Sequence, residues 1–371
     1  MKNLYLFLFG VASILGVAQT CPSNLTTYYA SATGTGATLK TQLHNIINSH
    51  TTISYTPGLW NLYYTSDVRP DGKVWDIYSN CNFIFGTPAA TGGNQDDGTG
   101  GSLECQRYNR EHTFPKSWFG GSSGIPMYTD AFHVMPTDKK DNGARGNMPY
   151  GIVGGTATYT TNNGAKIGIC TATGSPSNLT VFEPADQYKG DVARNYFYMA
   201  TCYEDKIVSW QNIDANGAKV LDGTTFPCYQ SWYLNLMLKW HLDDPVSQKE
   251  IDRNNAVCAV QNNRNPFIDH PEYVCQIWGP ALCASLSNEL FSLNENNLKV
   301  YPNPSNGNFN ITFPESNGNF SIEVLSVIGQ KIYEKNNINT DKFTVDNLEN
   351  GVYLLKISKD SQTIVKKIVI N

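Results

Sequence analysis

Three residue types divide this chain near residue 284. Cysteine, tryptophan and histidine, present in nine, seven and six copies, all lie before that position and are absent after it. In a chain of 371 residues this change indicates two domains, because single hydrophobic cores stop growing at about 250–300 residues. The Ser- and Asn-rich stretch ASLSNELFSLNENN marks the junction. We therefore predict a front domain over 19–283, a linker over 284–298 and a tail domain over 299–371.

The first residues have the pattern of a secretory signal peptide. Lys2 precedes an apolar run over residues 4–17, and polar chain follows at once. The run is too short to span a bilayer, so we predict a cleaved signal peptide over 1–18. A lipoprotein attached through Cys21 is the alternative, although the Gln and Thr before it are poor lipobox residues. No later stretch has the apolar length of a membrane span, so we expect export through the periplasm without stable membrane insertion.

The cysteines indicate disulfide bonds rather than metal or redox motifs. No C-x-x-C pair occurs, so zinc ribbons and thioredoxin-type chemistry are not indicated. In an exported protein, nine cysteines predict a framework of up to four bridges with one cysteine left free. Spacing does not determine which cysteines pair, and the connectivity stays open.

The front domain combines helical and strand-like patterns. Apolar residues recur at helical spacing in three segments, which predict helices over 38–50, 184–205 and 229–245. Shorter segments, such as GKVWDIYS and AKIGICTA, have strand-like patterns. We therefore expect an α+β fold with a mostly helical surround and long loops.

The tail has the pattern of a small all-β domain. Short apolar or alternating runs, such as NFNITF, FSIEVLSV, VYLLKIS and TIVKKIVI, are separated by turns containing Asn-Gly or Lys-Asp. Six or seven strands of this kind predict an antiparallel β-sandwich. One interpretation is an ordinary immunoglobulin-like or carbohydrate-binding sandwich, although the sequence has no evident aromatic platform or metal-ligand cluster.

The stretch NREHTFPKSWFGG, residues 109–121, places Glu111 beside His112. Neighbouring side chains on a strand point to opposite faces, so one pocket can use both only where the backbone bends. Pro115 and the Gly-Gly pair at 120–121 predict such a bend. Taken by itself, the stretch is also compatible with a surface turn that has a solvated acid and a partly buried histidine.

A second polar stretch, DAFHVMPTDKKDNGARGNMPYG, follows. Residues 130–136 are strand-like, and a helical segment after them would place Asn142 and Arg145 on one face. Oxygen atoms of Glu111 and Asn142 suit a hard divalent cation. His112 can take a proton from an attacking water, and Arg145 can donate to phosphate oxygens. Together these residues predict metal-assisted phosphodiester hydrolysis, with Mg²⁺ favoured and Mn²⁺ or Ca²⁺ as alternatives.

These stretches resemble the bacterial endonuclease I family, non-specific nucleases of the ββα-metal superfamily. The resemblance rests on REHTFPKSWFG, DAFHVMPTDKKDNGARGN, EPADQYKGDVARNYFYM and AVQNNRNPFIDHPEYV, in that order. It implies a ββα-metal finger in which His112 is the general base and Glu111 and Asn142 bind magnesium. Arg145 and Asn147 match its N-G-x-R-x-N segment. It also implies cleavage of DNA and RNA to products that carry 5′-phosphates.

The sequence departs from this family in the loop after the histidine. Some relatives carry an arginine there that contacts the phosphate, whereas residues 117–130 contain none. Arg110, Lys139, Lys140 and Arg145 are the candidates for that contact.

Two other groups of polar residues are interpreted as structural. The family often has histidine two residues after the aspartate of its strand motif, but here Phe132 occupies that place and His133 follows. Asp269, His270 and Glu272 could suggest a metal site, but we interpret them as packing of a closing loop.

The tail resembles the C-terminal sorting domain that Bacteroidetes-type bacteria use for type IX secretion. The matching stretches are VYPNPSNGNFNI, VLSVIGQKIYE, LENGVYLLKI and VKKIVIN. The resemblance implies that the type IX secretion machinery recognises the tail. We therefore expect a protein that is secreted or held on the outer cell surface.

The formal net charge of −5 argues against tight binding to nucleic acid. Residues 299–371 contain eight lysines and seven acids, which leaves −6 on the rest of the chain. A basic footprint is usual in proteins that bind duplex DNA, although a local patch and a bound dication can attract phosphate. We predict a monomer that binds weakly at high salt. The alternatives are a ribonuclease-only or single-strand phosphodiesterase on the same scaffold, and a surface-displayed binding or adhesion protein with a degenerate nuclease domain.

Overall fold

The computed structural model describes residues 21–22, 24–280, 283, 298–313, 320–326, 330–359 and 362–371. The predicted signal peptide and nearly all of the predicted linker lie outside these residues. The chain forms two compact units that divide between Pro280 and Ala281.

The first unit mixes helices with short strands, so the predicted α+β class is confirmed. Among the described residues, no helix is both long and apolar enough to cross a membrane. Its helices are α1 (Leu25–Tyr28), α2 (Gly36–Ile47), α3 (Gly58–Ser66), α4 (Pro88–Thr91), α5 (Lys139–Arg145), α6 (Lys189–Cys202), α7 (Glu204–Ile207), α8 (Ser231–Asp243), α9 (Gln248–Gln261), α10 (Pro266–Asp269) and α11 (Glu272–Trp278). Its strands are β1 (Tyr108–His112), β2 (Val134–Asp138), β3 (Tyr159–Thr160), β4 (Lys166–Ile169) and β5 (Thr180–Glu183).

Helix α6 lies at the centre of this unit, and nearly all of its residues are buried. The Arg194 guanidinium on α6 donates to both carboxylate oxygens of Glu250 on α9, at 2.5 and 2.8 Å. Asp191 of α6 pairs with Lys249 of α9. Because an unpaired buried charge is costly, these two ion pairs fix α9 against the central helix.

Apolar periodicity located three helices correctly. The segment 38–50 overlaps α2, which begins two residues earlier, the segment 184–205 contains a 3₁₀ turn followed by α6, and the segment 229–245 contains α8. Helix α8 ends two residues before Pro245, which lacks the N–H that would continue the helix. The AKIGICTA segment is likewise confirmed as β4.

The GKVWDIYS segment, residues 72–79, is a loop rather than a strand. Its only backbone bridge among the described residues joins Val74 to Val68. The loop buries Val74, Ile77 and Tyr78, so the apolar pattern reflects packing of a loop against the core.

The strand expected over 130–136 begins later and extends further than predicted. Residues 131–133 form a turn, and β2 runs from Val134 through Pro136 to Asp138. Because β1 and β2 form a two-stranded sheet, β2 has an open edge, where proline is tolerated.

The predicted disulfide framework is only partly correct. Disulfides join Cys21 to Cys258 and Cys81 to Cys105, and Cys275 and Cys283 are also disulfide-bonded. The structure contains three buried free thiols, at Cys170, Cys202 and Cys228. The expectation of one free cysteine is therefore wrong. A buried thiol behaves as a small apolar side chain, and cysteine number alone does not reveal this role.

The described part of the second unit forms two antiparallel sheets. Its strands are β6 (Lys299–Tyr301), β7 (Phe309–Thr312), β8 (Phe320–Ser326), β9 (Lys331–Ile338), β10 (Lys342–Val345), β11 (Gly351–Lys359) and β12 (Gln362–Ile370). One sheet has the order β10-β7-β6 and the other β12-β11-β8-β9. Alternating residues of both sheets, including Phe309, Ile322, Leu355 and Ile368, form one core. The predicted all-β tail is confirmed.

Candidate active site

A hairpin and the helix after it position the candidate site. Strands β1 and β2 pair antiparallel, and α5 begins directly after β2. Asp138 ends β2 and caps α5, because its Oδ1 accepts the N–H groups of Lys140 and Asp141 at 2.7 and 3.2 Å. After this cap, α5 lies against β1. Strands β1 and β2 and helix α5 together form the ββα arrangement that the resemblance implied.

Glu111, His112 and Asn142 line one cleft of about 390 Å³. The first two come from the end of β1 and the third from α5. The backbone turns after His112, where a 3₁₀ turn over Lys116–Phe119 is followed by Gly120, which has a left-handed φ of 92°. The structure thus brings together the three residues that the sequence selected for catalysis and metal binding.

The Glu111 carboxylate is buried but has one uncommitted oxygen. Its Oε1 accepts the Tyr78 hydroxyl at 2.7 Å and the Arg145 Nη1 at 2.6 Å. No side chain among the described residues donates to its Oε2. Burial raises the pKa of Glu111, and the charge of Arg145 and the hydrogen bond from Tyr78 oppose that shift. A cation in the cleft would stabilise the ionised carboxylate further.

The Asn142 amide is oriented by its nitrogen. Nδ2 donates to the Asn109 Oδ1 at 2.8 Å and to the Arg110 carbonyl at 3.3 Å. This orientation leaves Oδ1 without a partner among the described residues. Two oxygens from different elements, one carboxylate and one amide, therefore line the cleft with lone pairs available for a hard cation.

His112 is held as a neutral imidazole. Its Nε2 lies 2.9 Å from the Tyr128 carbonyl oxygen, and because a carbonyl only accepts, Nε2 carries the proton. Nδ1 of the neutral ring therefore has the lone pair. Burial lowers the pKa of His112 well below its ordinary value, and nearby His133 and Lys116 add to that shift. The ring is consequently unprotonated at neutral pH.

The predicted phosphate contact by Arg145 does not fit the structure. Its guanidinium is fully buried, and Nη1 donates to Glu111 and to the His112 carbonyl at 2.6 and 3.0 Å. Nη2 and Nε donate to the carbonyls of Thr113 and Met148 at 2.9 and 3.1 Å. Arg145 therefore lies behind the cleft, where it fixes the end of β1 and the Glu111 carboxylate.

Replacement of Arg145 by alanine should destabilise the fold by about 3–5 kcal/mol, because it leaves a buried carboxylate without its cation. Urea unfolding measures this change. Lys239→Ala is the matched control, since it breaks only an exposed ion pair with Asp243 and should cost less than about 1 kcal/mol. If Arg145→Ala lost activity but kept wild-type stability, the phosphate contact predicted from the sequence would be the better explanation.

The other candidate substrate-binding residues differ in their access to the cleft. Arg110 and Asn147 line it. Lys139 is turned away, because its Nζ donates to Asp96 at 2.9 Å and to the Gly100 carbonyl at 3.2 Å. Lys140 is exposed but does not line the cleft. The structure therefore brings only two of these four side chains to the site.

Asn147 joins the cleft wall to a more distant loop. Its Nδ2 donates to Ser117 and Asp214 at 3.2 and 2.8 Å, and its Oδ1 accepts from Asn216 at 3.0 Å. These bonds use both ends of the amide, so Asn147 shapes the wall beside the metal-ligand candidates.

Sequence reasoning missed three residues that complete the site. Tyr78 donates to Glu111, the Tyr128 carbonyl sets the His112 tautomer, and Lys116 lines the cleft. Tyr78 and Tyr128 lie 33 and 16 residues from their partners, so no local pattern connects them. Lys116 lies in the same motif as His112, and only that proximity could have suggested it.

The residues interpreted as structural have structural surroundings. The His133 Nε2 donates to the Met127 carbonyl at 2.6 Å, next to the carbonyl that binds His112. Asp269 accepts the Arg264 guanidinium through both oxygens, at 2.6 and 2.7 Å. These contacts support the structural interpretation of both groups.

A hairpin and a helix that bring a carboxylate, a neutral imidazole and an amide oxygen to one cleft define a site of the ββα nuclease class. The family model described as endonuclease I matches residues 35–272. The model described as a secretion system C-terminal sorting domain matches residues 299–371. The chain therefore belongs to the endonuclease I family and carries a type IX secretion sorting domain. It is a nuclease that is secreted or located at the cell surface.

Curated relatives are consistent with this assignment. The chain is 35% identical to the extracellular ribonuclease of Bacillus subtilis (strain 168), over 72% of this chain and 85% of the relative. It is 34% identical to the extracellular ribonuclease of Bacillus amyloliquefaciens, over 68% and 78%. It is 28% identical to endonuclease-1 of Buchnera aphidicola subsp. Baizongia pistaciae (strain Bp), over 44% and 62%. The predicted nucleic-acid substrate and the predicted sorting tail are both supported.

Proposed function

We propose that this protein hydrolyses phosphodiester bonds in DNA and RNA, with His112 as general base beside a divalent metal held by Glu111 and Asn142. The observation that carries the proposal is the His112 tautomer. Nε2 is committed to the Tyr128 carbonyl, which leaves Nδ1 as the basic atom of the ring in a cleft that also contains two uncommitted oxygens.

The donor set fits a hard divalent cation. The Glu111 Oε2 and the Asn142 Oδ1 accept from no side chain among the described residues, and both are oxygen ligands of the kind that Mg²⁺ binds with water and phosphate. Mg²⁺ is the proposed ion, with Mn²⁺ and Ca²⁺ as alternatives for the same ligands. When bound, such a cation would neutralise charge on the phosphate and on the leaving oxygen.

His112 takes a proton from the attacking water at Nδ1. The low pKa of the buried ring keeps Nδ1 free to accept that proton. The Tyr128 carbonyl fixes the ring by accepting from Nε2, and this hydrogen bond also stabilises the imidazolium that forms. The ring is held further by packing, with Tyr128 and Phe119 at centroid distances of 5.0 and 6.4 Å.

Arg145 and Arg110 have different roles, because Arg145 lies behind the cleft and Arg110 lies in its wall. Arg145 positions Glu111 from behind, through the bond of 2.6 Å to Oε1. Arg110 lies in the cleft wall, where its guanidinium stacks over Tyr55 at 3.5 Å and Trp60 at 4.3 Å. We assign Arg110 to contact with the substrate backbone and Asn147 to the shape of the wall that receives it.

The substrate class rests on the relatives and on the family resemblance. Two relatives are named ribonucleases and one an endonuclease, which supports RNA and DNA as substrates. The resemblance further implies 5′-phosphate products. The complete set of Glu111, His112 and Asn142 argues against the alternative of a degenerate domain used only for binding or adhesion. We propose that the mature protein acts as a monomer and that its tail is removed or retained as an anchor after export.

Protein purified with and without residues 298–371 tests this function. Both forms should cut plasmid DNA, single-stranded DNA and RNA to ends that accept no further 5′-phosphate from a kinase until they are dephosphorylated. The tail should be dispensable for cleavage, because all the proposed site residues lie in the first unit. Expression in the native host should show the truncated form retained in the cell.

Two outcomes would contradict parts of this proposal. Cleavage of RNA without cleavage of either DNA substrate would establish the ribonuclease-only alternative. Efficient release of the truncated form into the medium would show that the tail is unnecessary for export.

A further inference from the structure

The cations that can reach the cleft are few. Among the described residues, Arg110 and Lys116 are the only lysine or arginine side chains that line it. Arg145 lies behind the cleft, and Lys139 pairs with Asp96. A phosphodiester under attack accumulates negative charge, so the cations that face it matter for the reaction.

The backbone of Lys116 is fixed by its neighbours. Lys116 begins the 3₁₀ turn that ends at Phe119, directly after Pro115. Trp118 is fully buried and Phe119 is 4% exposed, so the turn is anchored in the core. The Phe119 ring also packs beside His112, at a centroid distance of 6.4 Å. The origin of the lysine side chain is therefore held in a constant position relative to the proposed base.

The ammonium of Lys116 is close to the site but weakly committed. The side chain is exposed, and its Nζ lies 3.5 Å from the Tyr128 hydroxyl and 5.4 Å from the Tyr128 ring centroid. That ring is 5.0 Å from the His112 ring. One long hydrogen bond leaves the remaining ammonium donors available.

Arg110 is committed more strongly. Its Nη1 donates to the Tyr55 carbonyl and, at 2.7 Å, to the Thr56 hydroxyl. Its guanidinium is also covered by the rings of Tyr55 and Trp60. Reorientation toward a reacting phosphate would break these contacts, whereas Lys116 would lose only one weak bond.

We propose that Lys116 is a catalytic residue whose ammonium binds a non-bridging oxygen of the phosphate that is cleaved. This inference rests on the proposed function. A lysine binds phosphate as a point charge and donates charge-assisted hydrogen bonds that strengthen as the oxygen gains charge. Lys116 thereby supplies a positive charge for the phosphate directly before the loop of residues 117–130, which contains no arginine.

Three variants of the full mature protein test the assignment. Lys116→Met removes the charge, and Lys116→Arg retains it. Lys239→Met is the matched control, because Lys239 is an exposed lysine of α8 that lies outside the cleft, and its loss changes the net charge equally. We expect Lys116→Met to lower kcat/KM by about 10- to 100-fold, as for loss of one charge-assisted transition-state contact. Lys116→Arg should recover much of this loss, and Lys239→Met should match the wild type.

Oligonucleotide binding provides a readout that is independent of turnover. In a His112→Ala background with Mg²⁺, adding Lys116→Met should weaken binding and reduce the slope of log K against log salt by about one, the change expected for one phosphate contact. Thermal melting should show that the Lys116 variants are folded.

Unchanged kcat/KM in Lys116→Met, or an unchanged salt slope, would overturn the assignment. Loss of activity that arginine does not restore would also overturn it, because a phosphate contact depends on the charge. A wild-type protein that cut neither DNA nor RNA in the same assay would refute the proposed function itself, and the role of Lys116 with it.

Discussion

Replacing His112 with alanine is expected to lower kcat by about 10²–10⁴-fold, the usual contribution of a positioned general base. The variant lacks the ring nitrogen that accepts a proton from the attacking water. The nucleophile must then be a hydroxide ion from the solvent. The protein should remain folded, because β1 is held by its pairing with β2 and by the bonds from Arg145 to the carbonyls of residues 112 and 113. Single-turnover cleavage with circular dichroism of the same sample measures both effects.

His270→Ala is the matched control for this experiment. His270 is a partly exposed histidine beside Glu272, outside the cleft, and its removal should leave turnover unchanged. Wild-type turnover by folded His112→Ala protein would refute the proposed mechanism. If His270→Ala lost as much activity as His112→Ala, the effect could not be assigned to the proposed base.

Removal of divalent metal is expected to reduce activity by more than about 10³-fold, because a metal ion supplies several kcal/mol of charge stabilisation in such reactions. The fold should persist, since the cleft lies at the surface of a core fixed by buried ion pairs and disulfides. Cleavage assays with chelator, with Mg²⁺ returned afterwards, measure the loss and its recovery. Thermal melting in the same buffers measures stability.

Asn142→Ala tests the metal ligand separately. The variant should need more Mg²⁺ for half-maximal activity than the wild type, because one protein oxygen is lost. Lys239→Ala should show the wild-type requirement. Full activity after exhaustive chelation would show that the Glu111 and Asn142 oxygens do not hold a required metal. An unchanged Mg²⁺ requirement in Asn142→Ala would exclude that residue as a ligand.

Local patterns predicted much of this fold. The burial of α2 follows the order of apolar residues along the chain, because a helix places every third or fourth residue on the same face. The apolar pattern also located α6, but nearly all residues of that helix are buried, including charged ones. The tail strands were also predicted from the order of apolar residues, because side chains on a strand alternate between two faces and the pattern therefore has a period of two. The pattern of residues 72–79 failed because a buried loop can show the same alternation as a strand without a pairing partner.

The residues of the candidate site were also accessible from the sequence. Glu111 and His112 are adjacent, and Asn142 lies in a short polar segment that follows a strand-like stretch. Hairpin and helix are consecutive in the chain, so the element order brings these residues together. The pairing of the cysteines had no such local signal, and three of them proved to be apolar core residues.

The sequence by itself determined the class of chain, namely an exported nuclease with a sorting tail, and the acid, base and amide of its candidate site. Only the tertiary structure decided what each charged group faces. Arg145 and Lys116 are both cations of the two polar stretches that the sequence selected, but one is fully buried behind Glu111 and the other is exposed in the cleft. Burial depends on contacts with distant segments, such as Tyr78 with Glu111 and Tyr128 with His112. The direction of a side chain within a folded core follows from such contacts, and the order of residues along the chain does not specify it.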